Sequence, residues 1–223
     1  MKIISYNINK CTQEKMNHLL SMDGYFYIVP EMAEPSLISV PQGYKADWIG
    51  DYAPKGLGVI WKEDISVEKL PIKVNQNYFI PLYVDGKLII AAWPTKQGVS
   101  KQLAYPKIAM LAFEQLSECF DNYPTLISGD FNCYVGQSGE TKAYSIASVD
   151  SFLGKSGLWS LYHHINNEKL GEEKACTYHH LFRSDDHMKF FLDYTYTNIP
   201  VKEFIINEWE PEISDHHAQI IIL

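Results

Sequence analysis

At 223 residues the chain is long for one small domain and short for two, so length favours a single domain over residues 1–223 with a sizeable core. Hydrophobic residues at 46% and charged residues at 21%, with no apolar run near the roughly 20 residues that cross a bilayer, exclude a spanning segment and describe a soluble globular protein. A formal net charge of −8 excludes gripping long nucleic acid by charge alone, because that affinity comes from neutralising many phosphates, and leaves Lys62, Lys96, Lys101 and Lys107 as candidates for a local basic patch.

In chain order, alternating or short continuous apolar runs predict strands at Lys2 to Ile8, Tyr25 to Val29, Leu57 to Lys62, Tyr78 to Val84 and Lys87 to Trp93. Further strands are predicted at Thr125 to Phe131, Asp193 to Thr197, Phe204 to Asn207 and Gln219 to Leu223. A short helix is expected over Thr12 to Leu20. The clearest helix runs from Pro106 to Asp121, with Ile108, Leu111, Ala112, Leu116 and Phe120 at helical spacing, Pro106 in its first turn and Pro124 beyond its end. A third spans Ser145 to Leu153, ending near Gly154, and the polar stretch Asn166 to Lys174 reads as a surface loop. Val84-Asp85-Gly86-Lys87 is a tight hairpin signal. Since a hairpin cannot join neighbouring parallel strands, the pattern favours a mixed α+β fold with largely antiparallel sheets over a doubly wound one.

Several of these strands end in polar residues: Asn7 after Ile3 to Tyr6, Glu31 after Tyr27 to Pro30, and Asp130 and Asn132 after Thr125 to Gly129. Asp193 follows Phe190 to Leu192, and Asp215 and His216 precede the last strand. Asp and Asn commonly begin turns where strands end, which explains any one of these positions. The ordered set Ser5-Tyr6-Asn7, Pro30-Glu31, Gly129-Asp130-Phe131-Asn132, Leu192-Asp193-Tyr194 and Ser214-Asp215-His216 resembles the motifs of the endonuclease/exonuclease/phosphatase family, over nearly the whole chain. That resemblance implies a DNase I-like four-layer sandwich, two packed and mainly antiparallel sheets flanked by helices.

The resemblance also implies a metal-dependent phosphoric ester hydrolase. Its metal is expected to be Mg2+, with Mn2+ also fitting, held chiefly by Glu31 with Asp215 beside it and Asn7 in support. By the same resemblance Asp130 is the base or water-orienting residue and Asn132 a donor to that water or to the phosphate. Asp193 fixes the ring of His216 and favours its charged form. Many relatives place a His or Tyr after the strand matched by Leu88 to Trp93; this chain has Ala91-Ala92-Trp93-Pro94-Thr95-Lys96, so Trp93 and Lys96 are the expected substrate contacts there.

Nucleic acid is the expected substrate class, with a small phosphate ester on the same site as the alternative and a non-catalytic binding module as a third reading motivated by Trp93. No protein partner or membrane contact is indicated. Residues 1–9 are strand-like rather than leader-like, the four cysteines form no CxxC pair and no Asn-x-Ser/Thr sequon occurs, so a cytoplasmic location is expected. His163, His164, His179, His180 and Cys176 lack the tight spacing of a zinc motif and adjacent His pairs usually point apart, so no second, zinc site is expected among them. Gly154-Lys155-Ser156 lacks the leading glycine of a P-loop, Cys133 has no evident His partner, and the abundant aromatics read as core.

Overall fold

In the computed structural model, which describes residues 1–72 and 74–223, the hydrophobic runs form fourteen strands and four α-helices. The first half holds β1 (Lys2–Ser5), α1 (Gln13–Ser21), β2 (Phe26–Met32), β3 (Tyr44–Tyr52), β4 (Lys55–Lys62), β5 (Val67–Lys69), β6 (Phe79–Val84), β7 (Lys87–Ala92) and α2 (Tyr105–Phe120). The second holds β8 (Thr125–Asp130), α3 (Ile146–Lys155), β9 (Trp159–Ser160), α4 (Leu161–Asn166), β10 (Tyr178–His179), β11 (Lys189–Phe190), β12 (Asp193–Thr197), β13 (Glu203–Ile206) and β14 (Gln219–Ile222).

Two six-stranded sheets result, ordered β13-β14-β1-β2-β4-β3 and β5-β6-β7-β8-β12-β9. Each has one parallel pair at its centre, β1 with β2 and β7 with β8, and is antiparallel elsewhere. The expected hairpin at Asp85-Gly86 joins β6 to β7, with φ positive at both residues as such a turn requires. Ile3, Phe26, Ile28, Leu57, Val59, Leu82, Ile89, Leu126 and Ile221 fill the space between the sheets. Outside the second sheet, Ile108, Ala112, Phe113, Leu116 and Phe120 of α2 and Ile146, Val149 and Leu153 of α3 cover Leu88, Ile90 and Ile127. Met16 and Leu19 of α1 cover Ile4, Tyr27 and Val29 of the first. Each fully buried aliphatic or Phe side chain contributes about 1.5–3 kcal/mol, so these three apolar layers hold the helix–sheet–sheet–helix sandwich together.

The DNase I-like sandwich expected from the sequence is the fold found. The strands β3, β5, β9, β10 and β11 and the helix α4 are not expected from the sequence: β3 is an edge strand with no fully buried residue, and the others are too short for a readable period. Among the described residues no helix is long and apolar enough to cross a membrane.

Candidate active site

Topology brings the motif residues together. The C-terminal ends of β1, β2 and β8 lie at one edge of the sandwich, and antiparallel pairing brings the N-terminal ends of β12 and β14 to the same edge, in the registers Asp193 opposite Asp130 and Ser5 opposite Gln219. Glu31, Asp130, Asn132, Asp215 and His216 line one cleft of about 410 Å³, together with Tyr105, Tyr134, Gln137, Tyr178 and His180.

Two residues reach the cleft through unusual backbone. Glu31 is the extra residue of a bulge between Pro30 and Met32, at φ +63°, and Asn132 sits at φ +53° just past β8. Left-handed backbone at non-glycine residues costs energy, and bulges re-aim side chains. Gly129 is required for close approach: at φ +149° it lies against the Ala92 carbonyl of β7, which a Cβ would strike.

Asp130 is 2% exposed and fixed from two sides. The Asn7 amide donates to its Oδ2 at 2.9 Å and the Asn132 backbone N–H to its Oδ1 at 2.8 Å. The other end of Asn7 accepts from Asn9 N–H at 3.0 Å, so its amide orients Asp130. The Asn132 amide donates to the Pro94 carbonyl at 3.1 Å, tying the loop after β8 to the loop after β7. Burial pushes the Asp130 carboxyl above the usual carboxylate range, the His216 charge opposing and the Asp193 charge adding to the shift.

His216 Nδ1 lies 2.8 Å from Asp193 Oδ2, and its Nε2 faces Asp130 Oδ2 at 3.9 Å. Burial pulls the imidazole toward its neutral form, but the Asp193 and then the Asp130 carboxylates outweigh it and hold the ring charged, well above an ordinary histidine. Asp193 is positioned by Thr177, whose Oγ1 accepts from its N–H at 3.0 Å, and by Gln219, whose amide donates to its carbonyl at 2.7 Å. Gln219 continues through Thr195 to Ser128, a buried hydroxyl–amide chain joining the two sheets beneath the site.

Also lining the cleft, Glu31 pairs through Oε1 with Lys55 Nζ at 2.9 Å. Burial raises the Asp215 carboxyl; His216 opposes this, and the charges of Glu31 and Asp193 contribute to it. Hard oxygen donors whose mutual repulsion a cation would relieve fit a magnesium-type ion, which binds through one or two carboxylates and waters.

Trp93 is a correction to the sequence reading. It is 2% exposed, packs against Tyr78 with ring centroids 5.3 Å apart and belongs to the core between the sheets, so it presents no face to a substrate. Among the aromatic groups that do line the cleft is Tyr105, the first residue of α2, whose phenol is raised by burial and by the Asp130 charge. Lys96 is exposed and lies over the Tyr105 ring at 4.6 Å. Lys62 leaves the expected basic patch: it sits at the end of β4 opposite Lys55, roughly 23 Å away at strand spacing, and pairs with Asp23. Sequence reasoning also missed Lys55 and Tyr178, whose ring lies 4.7 Å from that of His216. Tyr105 carried a signal, a polar aromatic directly before the proline that starts α2.

The two-sheet sandwich with its edge-of-sheet cluster has a DNase I-like fold. The chain is similar to a 3'-5' exonuclease, NExo, from Neisseria meningitidis, at 16% identity over 99% of this chain and 98% of that one, with a TM-score of 0.72. An AP endonuclease from Archaeoglobus fulgidus matches at 12% identity over 100% and 98% of the chains, TM-score 0.70. A functionally unknown conserved protein from Enterococcus faecalis V583 matches at 14% over 99% and 98%, TM-score 0.63. No protein-family profile and no curated protein sequence matches the chain.

Proposed function

We propose that this chain is a Mg2+-dependent phosphodiesterase that hydrolyses nucleic acid, with Mn2+ able to substitute. One observation carries the reading: a buried carboxylate, Asp130, and a carboxylate-backed imidazole, Asp193–His216, face each other at 3.9 Å in a cleft also lined by Glu31 and Asp215.

Glu31 and Asp215 would hold the cation, which when bound polarises the phosphoryl group and stabilises the leaving oxygen. Asp130 orients the attacking water and takes its proton, which its burial-raised proton affinity suits it to hold. Asn7 and the Asn132 backbone keep its two oxygens aimed, and the second amide hydrogen of Asn132 serves the water or the phosphate. His216, with Nδ1–H given to Asp193, directs its Nε2–H into the cleft to stabilise charge on the phosphate oxygens. Tyr105 donates from its phenol, and Lys96, held over the Tyr105 ring, adds positive charge beside it.

Nucleic acid is favoured because solved structures of the same fold and full length are described as an exonuclease and an AP endonuclease, and NExo as a 3' phosphatase is described bound to a product DNA hairpin. The test is a screen of metal-free protein with Mg2+ or Mn2+ against plasmid DNA, single-stranded RNA and a generic phosphodiester, with Glu31→Gln alongside. Metal-dependent cleavage of a nucleic acid is expected, and calorimetry should show Glu31→Gln losing metal affinity while its circular dichroism is unchanged. Hydrolysis of the small ester alone would replace the assignment with the small-phosphoester reading, and no turnover on any substrate would replace it with a binding module.

A further inference from the structure

On the other side of the strand-like segment that carries His216 is a second cluster, of different chemistry. Cys176 Sγ lies 3.5 Å from His179 Nε2 and 3.7 Å from His217 Nε2, and the two Nε2 atoms are 3.0 Å apart. All three donor atoms point at one another and lie within 4.8 Å of one another. A tetrahedral zinc with Zn–S of about 2.3 Å and Zn–N of about 2.0–2.1 Å places its sulfur and nitrogen ligands about 3.6 Å apart and its two nitrogens about 3.4 Å apart. The cluster already has nearly those edges.

The hydrogen bonds behind the rings remove the simplest alternative. His179 Nδ1 is 3.0 Å from the Arg183 carbonyl and His217 Nδ1 is 2.8 Å from the Asn207 carbonyl. A carbonyl only accepts, so each Nδ1 carries the proton, and in the neutral rings each Nε2 is left with a lone pair. Two lone pairs then face each other across 3.0 Å beside a thiol. Backbone carbonyls that fix the tautomer of both rings are the usual outer partners of metal-bound histidines. Trp209 stacks flat on His179, with centroids 3.7 Å apart and planes 7° apart, and supplies an apolar wall.

We propose that Cys176, His179 and His217 form a zinc site separate from the catalytic cleft, with water in the fourth position. A borderline-soft Zn2+ matches one sulfur and two imidazole nitrogens, whereas the hard-oxygen set of Glu31 and Asp215 does not. On binding, the Cys176 thiol loses its proton to solvent and the thiolate becomes the ligand. This site corrects the expectation of no zinc site: Cys176 and His179 are three residues apart, and the third ligand, His217, comes from far along the chain.

The site would act as a clamp. The segment around Tyr178 pairs with the segment around His216 through His179 N–H to the Asp215 carbonyl at 2.7 Å and His217 N–H to the Thr177 carbonyl at 2.8 Å. Zinc bridging Cys176 and His179 to His217 fixes that pairing. It thereby fixes Thr177 under Asp193 and Tyr178 against His216.

The test uses the full chain. Purified protein should retain one zinc per chain after gel filtration, and Co2+ added to the metal-free protein should give the near-ultraviolet thiolate-to-cobalt band together with the visible bands of a tetrahedral ion. Glu31→Gln should keep both signals; Cys176→Ala should lose the thiolate band. His217→Ala should weaken zinc binding by more than the roughly 10–100-fold that loss of an outer partner alone causes. Zn2+ should also protect Cys176 of the unmodified protein from alkylation while leaving the partly exposed Cys119 reactive, a readout independent of whether any variant folds. Absence of the thiolate band, unprotected Cys176, or zinc affinity unchanged in Cys176→Ala would overturn the proposal.

Discussion

Gly129 offers a stringent check on the packing that presents Asp130. A methyl group added there would strike the Ala92 carbonyl oxygen and crowd the Ala92 carbonyl carbon and amide, all backbone atoms of the neighbouring strand, and it would be carried on φ +149°. Backbone held in such a region costs a non-glycine residue about 1–3 kcal/mol. Moving the Ala92 carbonyl aside weakens the β7–β8 ladder by about one hydrogen bond, roughly 1 kcal/mol. Gly129→Ala should therefore lose about 2–4 kcal/mol, which at a mid-range urea slope of about 2 kcal/mol/M lowers the midpoint by roughly 1–2 M. Gly154, exposed within α3 and with nothing within 4 Å of the added carbon, is the matched control. There the same change should stabilise by about 0.5–1 kcal/mol through helix propensity alone. The assay is urea unfolding of metal-free protein followed by circular dichroism. If Gly129→Ala falls within about 0.5 kcal/mol of the parent, or the two variants shift in the same direction, the claim that only glycine fits beneath Asp130 is wrong.

Asp193→Asn removes one partner of a buried pair and should cost about 3–5 kcal/mol at pH 6. His216 has a folded pKa raised above its unfolded value, so its contribution is complete below about pH 6.5 and fades as pH rises through the folded value. The gap between parent and variant should thus narrow on the alkaline side, and a gap that widens with pH in urea titrations would contradict the pairing. Asp130→Asn should lower single-turnover rates far more than metal affinity measured by calorimetry; equal losses would place Asp130 among the metal ligands. The parent's rate should rise with pH through a midpoint above the ordinary carboxylate range, because burial raises Asp130 more than His216 lowers it, and the variant should lack that limb. Tyr105→Phe removes one hydrogen bond to a charged phosphate and should reduce turnover about 10–100-fold, with an unchanged melting temperature. A rate within twofold of the parent would move Tyr105 out of the chemistry.

Strand positions near the site were legible because their apolar runs are buried on both faces and end in polar residues, as in Leu126-Ile127 before Asp130. β12 was read to the residue, and α2 was displaced by one. What escaped depended on tertiary context. The orientation of Trp93 follows from which face of β7 meets the other sheet, and a local pattern does not carry that information. Tyr105 and Lys55 enter the site from elements adjacent to it only in space. The histidines show the same limit. Cys176 and His179 were weighed as zinc ligands against neighbours in sequence, but the ring that joins them, His217, comes from a segment 38 residues from His179 that β-type pairing lays alongside.

That pairing gives residues 214–217 an unusual position in the molecule. Ser214 Oγ donates to the Asn7 carbonyl at 2.6 Å and accepts from His216 N–H at 3.1 Å, and Asn7 in turn holds Asp130. On the opposite side, Asp215 and His217 are bonded to the backbone of residues 177–179, whose Thr177 holds Asp193. A continuous path of hydrogen bonds therefore runs from Asp130 through Asn7, Ser214 and His216 to Asp193. It is supported by Thr177, which lies between Cys176 and His179. A one-residue slip in the pairing of 177–179 with 215–217 would turn His216 away from Asp193 and His217 toward the cleft, because successive side chains point to opposite faces. Two backbone bonds join the segments directly, and the ladders beside them, β10 with β11 and β14 with β1 and β13, hold each segment in turn. A ligand tying Cys176 and His179 to His217 would reinforce the register that also places His216, so it must, by linkage, bind more tightly to the conformation in which the Asp193–His216 pair is formed.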